Sequence, residues 1–588
     1  MTSLQSLPPG MILVLGAFLL PLLKGRLQQA ALIALPVLSY WHLLQFPGAD
    51  EGFVLTMTWF DYTLTPIRID RLSMVWGHVF HLAAFLSALY ALRVKDTVQH
   101  VAGLSYAGAA IGAAFAGDLI TLFVFWELTA VTSVFLIWAN TKNHRTGERD
   151  EALALQSYKT GMRYMLIQVG SGVLLLAGIL IHVQLTGSLA FEHMELGQHP
   201  GVLLIFIAFG IKAAFPFLHN WLQDSYPQGT VTGTVFLSAF TTKLAIYALA
   251  RTFAGESILV PIGAAMTLFP IVYAVIENDL RKVLAYSLNN QLGYMVVGIG
   301  IGTELALNGA AAHAFAHIIY KGLLFMAMGA VLYRTGTSKA SELGGLYKSM
   351  PLTTIFCIVG SLSISGFPLF SGFATKAMTM TAAWGTDYTW LAIVLLIASA
   401  GVVDHSGIKI PFFAFFAHDN GWRVKEAPWN MLAAMAIAAA ICIGLGVYPD
   451  PLYAILPYPE VAQEYLANDV FSGAHIVGQV QLLLFAALAF VVLMKIKKYP
   501  DEIPSVNIDS DVLYRKVAPA VVRSLQQGIS AANAGFRSVV SAILRSGGEG
   551  VAALHRPPSG MMGEPWPSGA TTLSAAILLT AVLLMAFL

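Results

Sequence analysis

Residues 310–327 read AAAHAFAHIIYKGLLFMA, and the reading of this stretch decides the fold. It is apolar for most of its length, yet it carries His313, His317 and Lys321 at intervals of four. On an α-helix, residues four apart stack on one face. Three proton-exchanging groups therefore line up along one stripe of a helix. The surrounding apolar run, 305–333, exceeds the roughly 20 residues needed to cross a bilayer. The stretch predicts a transmembrane helix that carries ionisable groups where lipid-soluble sequence is otherwise the rule.

The rest of the chain is of the same kind. Of its 588 residues, 57% are hydrophobic and 11% charged, and the mean hydropathy is +0.70. Soluble domains carry roughly 25% charged residues, so this chain cannot clothe its surface in charge. Apolar runs long enough to span recur from 11–23 to 570–588, giving an all-α polytopic membrane protein with about 14 to 17 transmembrane helices. The alternating ten-residue segments of a membrane β-barrel are absent. A net charge of +1 gives no reason to expect nucleic acid. Cys357 and Cys442 lie apart in apolar runs, which predicts neither a disulfide nor a metal site. Nor is there an iron–sulfur cysteine set or a nucleotide-binding glycine motif, so no cofactor is expected.

Basic residues follow alternate spans: Lys24 and Arg26, Arg93 and Lys95, Lys142 with Arg145 and Arg149, Arg281 with Lys282, and Arg334 with Lys339 and Lys348. The positive-inside rule places these loops in the cytoplasm and the N-terminus outside, in a multi-pass protein of the cell (inner) membrane. Beyond Lys498, residues 510–546 alternate apolar and basic positions at helical intervals and are too polar to span. They predict an amphipathic helix on the membrane surface or against partner helices. A Gly/Pro-rich linker over 546–569 leads to the last span.

A charge in mid-membrane costs about 2.5–3.5 kcal/mol on insertion scales, so each one needs a reason. Glu127 lies within LITLFVFWELTAVTSVFLIW, and Lys212 within LLIFIAFGIKAAFPFLHNWL, four residues before Pro216. Lys243 is enclosed by VFLSAFTTKLAIYALA, and Lys376 follows Gly366, Pro368 and Gly372. Proline inside a span frees a backbone carbonyl, which membrane proteins tolerate where a polar cavity is lined. Snorkelling accounts for charges at helix ends such as Lys409. For the interior set, a hydrated proton path is the better reading, because lysine beside a carboxylate and histidine near pH 6.5 both exchange protons. A purely structural polar network is the alternative.

Five segments in order, FVFWELTAVTSVFLI, GIKAAFPFLHNWLQDSYPQGTVTGTVFLSAFTTKLAIYAL, NDLRKVLAYSLNNQLGYM, HAFAHIIYKGLLFMAMGAV and LSISGFPLFSGFATKAM, together resemble the antiporter-like subunits of Mrp-type Na+/H+ antiporters (those of the D type) and of respiratory complex I. The resemblance covers about 100–410. It implies two inverted five-helix repeats with broken helices, over 101–255 and 256–417. They would follow N-terminal helices over 1–100 and precede further spans over 418–500, the amphipathic segment and linker over 501–569, and a final span over 570–588. It further implies a proton relay through Glu127, Lys212, Lys243, His313, His317, Lys321 and Lys376, with Lys282 at a matching helix start. Where many relatives place an acidic residue after the last lysine, this chain has Ala377, and Asp404, His405 and Lys409 are candidates to compensate. The C-terminal amphipathic segment resembles the lateral helix of the distal complex I subunit.

The expected function is a proton-translocating subunit of a multi-subunit cation (Na+ or K+)/proton antiporter. Its partners would be other membrane subunits and the lipid bilayer. A proton-pumping subunit of a complex I-like oxidoreductase or membrane-bound hydrogenase is the alternative, and the membrane half of an inorganic-carbon accumulation complex a further one. A structural anchor with a decayed path predicts loss of the buried ionisable residues, which are present. Hydrolytic or redox chemistry of its own is not expected.

Overall fold

The computed structural model describes residues 3–386, 388–500, 502–503, 507–555 and 568–587. Residues 1–507 form one compact unit and 508–588 a second. The first opens with the short α1 (Met11–Ala17), α2 (Gly25–Leu43) and a β-hairpin, β1 (Phe53–Trp59) and β2 (Tyr62–Ile69). The hairpin is antiparallel with a bulge between Leu55 and Met57, and the sequence reading missed it. Then come α3 (Arg71–Tyr90), α4 (Thr97–Ala114), α5 (Leu119–Trp138) and the long α6 (Glu151–Thr186). Aspartates open all four, each accepting a backbone N–H of the first turn: Asp70, Asp96, Asp118 and Asp150.

Two broken spans follow the same plan. In the first, α7 (Pro200–Ala213) ends at Ala214 and the chain resumes in α8 (Asn220–Ser225). In the second, α14 (Pro351–Ser365) ends at Gly366 and resumes in α15 (Ser371–Trp384). The breaks read AFPFL (214–218) and GFPLF (366–370), each with two left-handed residues three apart. Ala214 has φ 62 and Phe217 φ 68; Gly366 has φ 72 and Leu369 φ 70. Proline after phenylalanine cannot continue the helix ladder, and the left-handed residues turn the chain. Between the breaks lie α9 (Gly233–Ala239), α10 (Thr241–Thr252), α11 (Leu259–Ile276), α12 (Leu280–Ile301) and α13 (Glu304–Thr335).

After α15, α16 (Thr389–Val402) continues through π turns and α17 (Lys409–Pro411) to Phe416. Then come α18 (Trp429–Val447), the short α19 (Asp450–Tyr453) and α20 (Pro459–Tyr465), and α21 (Gly473–Lys495). Among the described residues, ten helices are long and apolar enough to cross a membrane. The short α1, the less apolar α2, α4 and α12, and the broken pairs α7–α8 and α14–α15 complete the set expected from sequence. The helix at the centre is α13, buried along its length and packed on α3, α9, α12, α14, α15 and α18.

The connections gather on two opposite sides. On one, the hairpin is pinned by Gly117 N–H to Thr65 O (2.9 Å), Leu119 N–H reaches Leu189 O, and Arg71 reaches Ala454 O. On the other, Asn140 donates to Gln228 O (3.0 Å), Arg281 to Pro227 O (2.9 Å) and Arg334 to Glu426 O (3.0 Å). The basic loops read from sequence all lie on this second side.

In the second unit, a π turn at Leu513–Val517 leads into α22 (Ala518–Leu554), and α23 (Ser568–Phe587) follows. The helix α22 runs through Gly547, Gly548 and Gly550, so the expected linker begins later than 546. Residues 556–567 of that linker lie outside the described residues.

Candidate functional site

Lys212 sits two residues before the Ala214 turn, at the C-terminal end of α7, and is 0% exposed. Its ammonium donates to Trp126 O (2.6 Å) and Thr129 Oγ1 (3.1 Å) and lies 4.3 Å above the Trp126 ring. All three partners are on α5, beside Glu127. Glu127 is within electrostatic reach of Lys212, and its Oε1 has no hydrogen-bond partner among the described residues. The carboxylate lies against Gly172 of α6, where an added Cβ would overlap Oε1.

Lys243 follows a second kind of break. Phe240 has φ -104 and ψ -66, so α9 and α10 do not share a continuous ladder. Ser238 O is thereby left to accept from Lys243 Nζ at 2.6 Å. Tyr106 holds the break from α4, its hydroxyl 2.9 Å from Thr241 N.

His313, His317 and Lys321 form the expected stripe on α13, buried to 1%, 0% and 0% exposure. An amide chain on α12 determines the chemistry of His313. Asn290 Nδ2 donates to the carbonyl of Thr267, which can only accept, and this fixes the Asn290 amide. Asn290 Oδ1 then accepts from Gln291 Nε2 (2.6 Å), which leaves Gln291 Oε1 as an acceptor. That oxygen takes His313 Nε2–H and the Tyr320 hydroxyl, both at 3.1 Å. The proton of neutral His313 is therefore on Nε2, and Nδ1 is the basic nitrogen. Nδ1 has no partner among the described residues, and neither do the two ring nitrogens of His317 or Lys321 Nζ. The sequence reading passed over Gln291 and Tyr320, although three adjacent amides (Asn289 to Gln291) inside a span were a visible signal.

Lys376, on α15 past the second break, donates to Ser399 Oγ (2.8 Å) and lies 5.4 Å from the Tyr294 ring centre. It lines a cavity of about 250 Å³ shared with Ala377, Thr381, His475 and Gln479. The idea that Asp404, His405 and Lys409 make good the missing carboxylate does not hold. No hydrogen bond or ion pair among the described residues joins any of them to Lys376. Asp404 takes the Tyr499 hydroxyl (3.3 Å), and His405 Nδ1 is 2.8 Å from Ser406 Oγ, which donates to Ser287. Lys409 is no snorkelling helix-end charge either, being 0% exposed. It caps the C-terminal carbonyls of α11, Val275 O at 2.6 Å and Glu277 O at 2.8 Å, and pairs with Glu502 at 3.0 Å. Lys282 pairs with Glu277 at 2.8 Å on the same side.

Electrostatic reach links the groups from Lys376 to Lys409 into a row, while Lys212 faces Glu127 alone. His313 feels Lys376 and Lys243; His317 feels Lys243 and Lys321; His405 feels Lys321 and Lys409. A branch thus runs from Lys321 through His405 to the basic-loop side, and another from His313 to Lys376 and its cavity. On the basic-loop side, burial and the nearby Arg281 pull the His144 imidazole down to about 4. Among the described residues no cluster of His, Cys, Asp or Glu is arranged to hold a metal ion.

Residues 116–401 match the family model described as NADH:quinone oxidoreductase/Mrp antiporter, transmembrane. The A-type subunit of the Na+/H+ antiporter of Alkalihalophilus pseudofirmus is 28% identical over 472 residues, covering 71% of this chain and 58% of its own. The N-type subunit of the NADH-quinone oxidoreductase of Desulforudis audaxviator is 32% identical over 310 residues, covering 49% of this chain and 59% of its own. The chain thus spans a little under 60% of the length of either relative. One component of the Mrp complex from a Dietzia species shares the fold, with a TM-score of 0.70 at 22% identity, covering 81% of this chain and 100% of that one.

Proposed function

We propose that this chain, whose residues 116–401 match the NADH:quinone oxidoreductase/Mrp antiporter transmembrane model, is an antiporter-like membrane subunit that relays protons within a multi-subunit Mrp-type assembly. It would exchange them for Na+ or K+. The observation that carries the reading is the buried set itself: Lys212 and Lys376 sit beside the two helix breaks, and His313 and His317 lie within electrostatic reach of Lys243 and, for His313, of Lys376. Several of its nitrogens have no protein partner among the described residues. Buried polar groups are satisfied by protein or by ordered water, so these nitrogens are best met by water entering the path.

In this reading, each lysine trades its proton against fixed acceptors. Trp126 O and Thr129 hold Lys212 when it is charged, and Glu127, free at Oε1, supplies the countercharge. Ser238 O holds Lys243. The basic Nδ1 of His313 accepts a proton without rearrangement, because Gln291 already fixes the tautomer. Protons would reach the second half from the basic-loop side through Lys409 and His405 and leave by Lys376. In this reading, by the positive-inside rule, that side faces the cytoplasm and the N-terminus lies outside.

The test is proton movement in everted vesicles holding the chain with its partner subunits, read by a fluorescent pH probe. Dequenching on addition of Na+ or K+, abolished in Lys212→Ala with the assembly intact, is the expected result. A redox-driven pump is the second reading, favoured by the relation to a quinone oxidoreductase subunit. Acidification that needs a redox substrate and ignores both cations would select it.

A further inference from the structure

Among the described residues, the cavity beside Lys376 has no acidic wall. Its titratable lining consists of Lys376 from α15 and His475 from α21, with Gln479 one turn further along α21. The helix α21 lies outside the 116–401 domain, so nothing in the shared domain assigns these two residues a task.

Their geometry is specific. The His475 ring stacks flat on Phe373, with centroids 4.3 Å apart and planes 9° from parallel. Its Nδ1 lies 2.8 Å from Val470 O. A carbonyl only accepts, so Nδ1 carries the hydrogen and Nε2 is the basic nitrogen. Gln479 donates to Ser365 O (3.1 Å), a carbonyl at the end of α14 that the Gly366 break leaves free. Gln479 Nε2 and Lys376 Nζ lie 3.1 and 3.7 Å from the point a Cβ on Gly366 would occupy, so both crowd the break. The cavity has room for several water molecules. Its far wall is the first two turns of α21, on the side of the molecule opposite the basic loops.

We propose that His475 is the proton acceptor that serves Lys376 in place of the carboxylate absent at Ala377, with Gln479 as a positioning residue that holds α21 to the break. The inference rests on the proton-relay reading. In the step, an N–H bond of the Lys376 ammonium breaks and its proton passes through cavity water to form an N–H bond at His475 Nε2. Lys376 becomes neutral and the imidazole cationic. The imidazolium then gives up that proton on the side opposite the basic loops, and both groups return to their starting states.

The experiment compares four chains in the vesicle assay, each in its full assembly: wild type, Lys376→Ala, His475→Asn, and His475→Asn with Ala377→Asp. Asparagine can still donate to Val470 O but cannot carry a proton onward. Aspartate at 377 places a carboxylate in the same cavity, since Ala377 lines it. The expected result is no transport in Lys376→Ala, at least a tenfold loss in His475→Asn, and recovery to within threefold of wild type in the double variant. Wild-type transport in His475→Asn while Lys376→Ala is dead overturns this inference and leaves the relay standing. A loss in His475→Asn that aspartate does not restore assigns His475 a packing role and also overturns it. Unimpaired transport in Lys376→Ala overturns the relay itself.

Discussion

A methyl group on Gly172 would overlap Glu127 Oε1, and what would have to give way is the tip of a flexible side chain. Gly172→Ala is therefore expected to displace the carboxylate from Lys212 without unfolding the protein. The outcome to look for is a transport rate reduced several-fold at unchanged thermal stability. A second residue-scale expectation concerns Gln291, whose oxygen keeps the proton of neutral His313 on Nε2. Gln291→Leu removes that acceptor and leaves two buried donors, His313 and Tyr320, without it, at about 1–3 kcal/mol. Transport should fall about tenfold, a loss similar in order to that stability term, and melting temperature and vesicle flux should fall together. Tyr320→Phe, which leaves the His313 bond in place, should cost less on both measures.

At the scale of elements, the π-turned α16–α17 span meets the end of α11 through Lys409 and, beyond α21, Glu502. Removing one member of a buried pair leaves the other uncompensated, at about 3–5 kcal/mol. Lys409→Met should therefore lower thermal stability strongly, and adding Glu502→Gln should restore most of it, measured on detergent-purified protein. Sequence exposes the ionisable residues of such elements because a charge in an apolar run stands out against its insertion cost. The two helix breaks are equally legible, announced by proline. Their partners are not. Trp126 O, Ser238 O and Val275 O are backbone atoms with no residue signature, and Ser399 or Thr129 looks like any other small polar residue in a span. Long-range pairings such as Lys409 with Glu502 depend on how distant segments pack, which periodicity along one helix does not encode. The hairpin β1–β2 escaped notice for a different reason: it lies between spans that dominate any hydropathy reading.

For the whole molecule, the sorting of connections onto two sides makes one side electrostatically distinct, and its stability is tied to pH. His144 is held near 4 in the folded protein, against about 6.5 for a free imidazole. The folded state thus binds fewer protons than the unfolded one between those values. Its stabilising share is full above pH 6.5 and is lost as pH falls toward 4. Hydrogen exchange of residues 140–150 should accelerate across that window, and His144→Gln should flatten the response. The burial of α13 has another consequence, for how the molecule is made. Its shell includes α14, α15 and α18, all later in the chain. When α13 leaves the ribosome, half its future neighbours do not exist, and lipid is a poor substitute for a helix bearing His313, His317 and Lys321. Membrane insertion must shelter this helix against α12 and α3 until synthesis reaches α18. The stripe proposed to carry protons thus also dictates the order of assembly, and a chain cut short before α18 exposes it to cellular quality control.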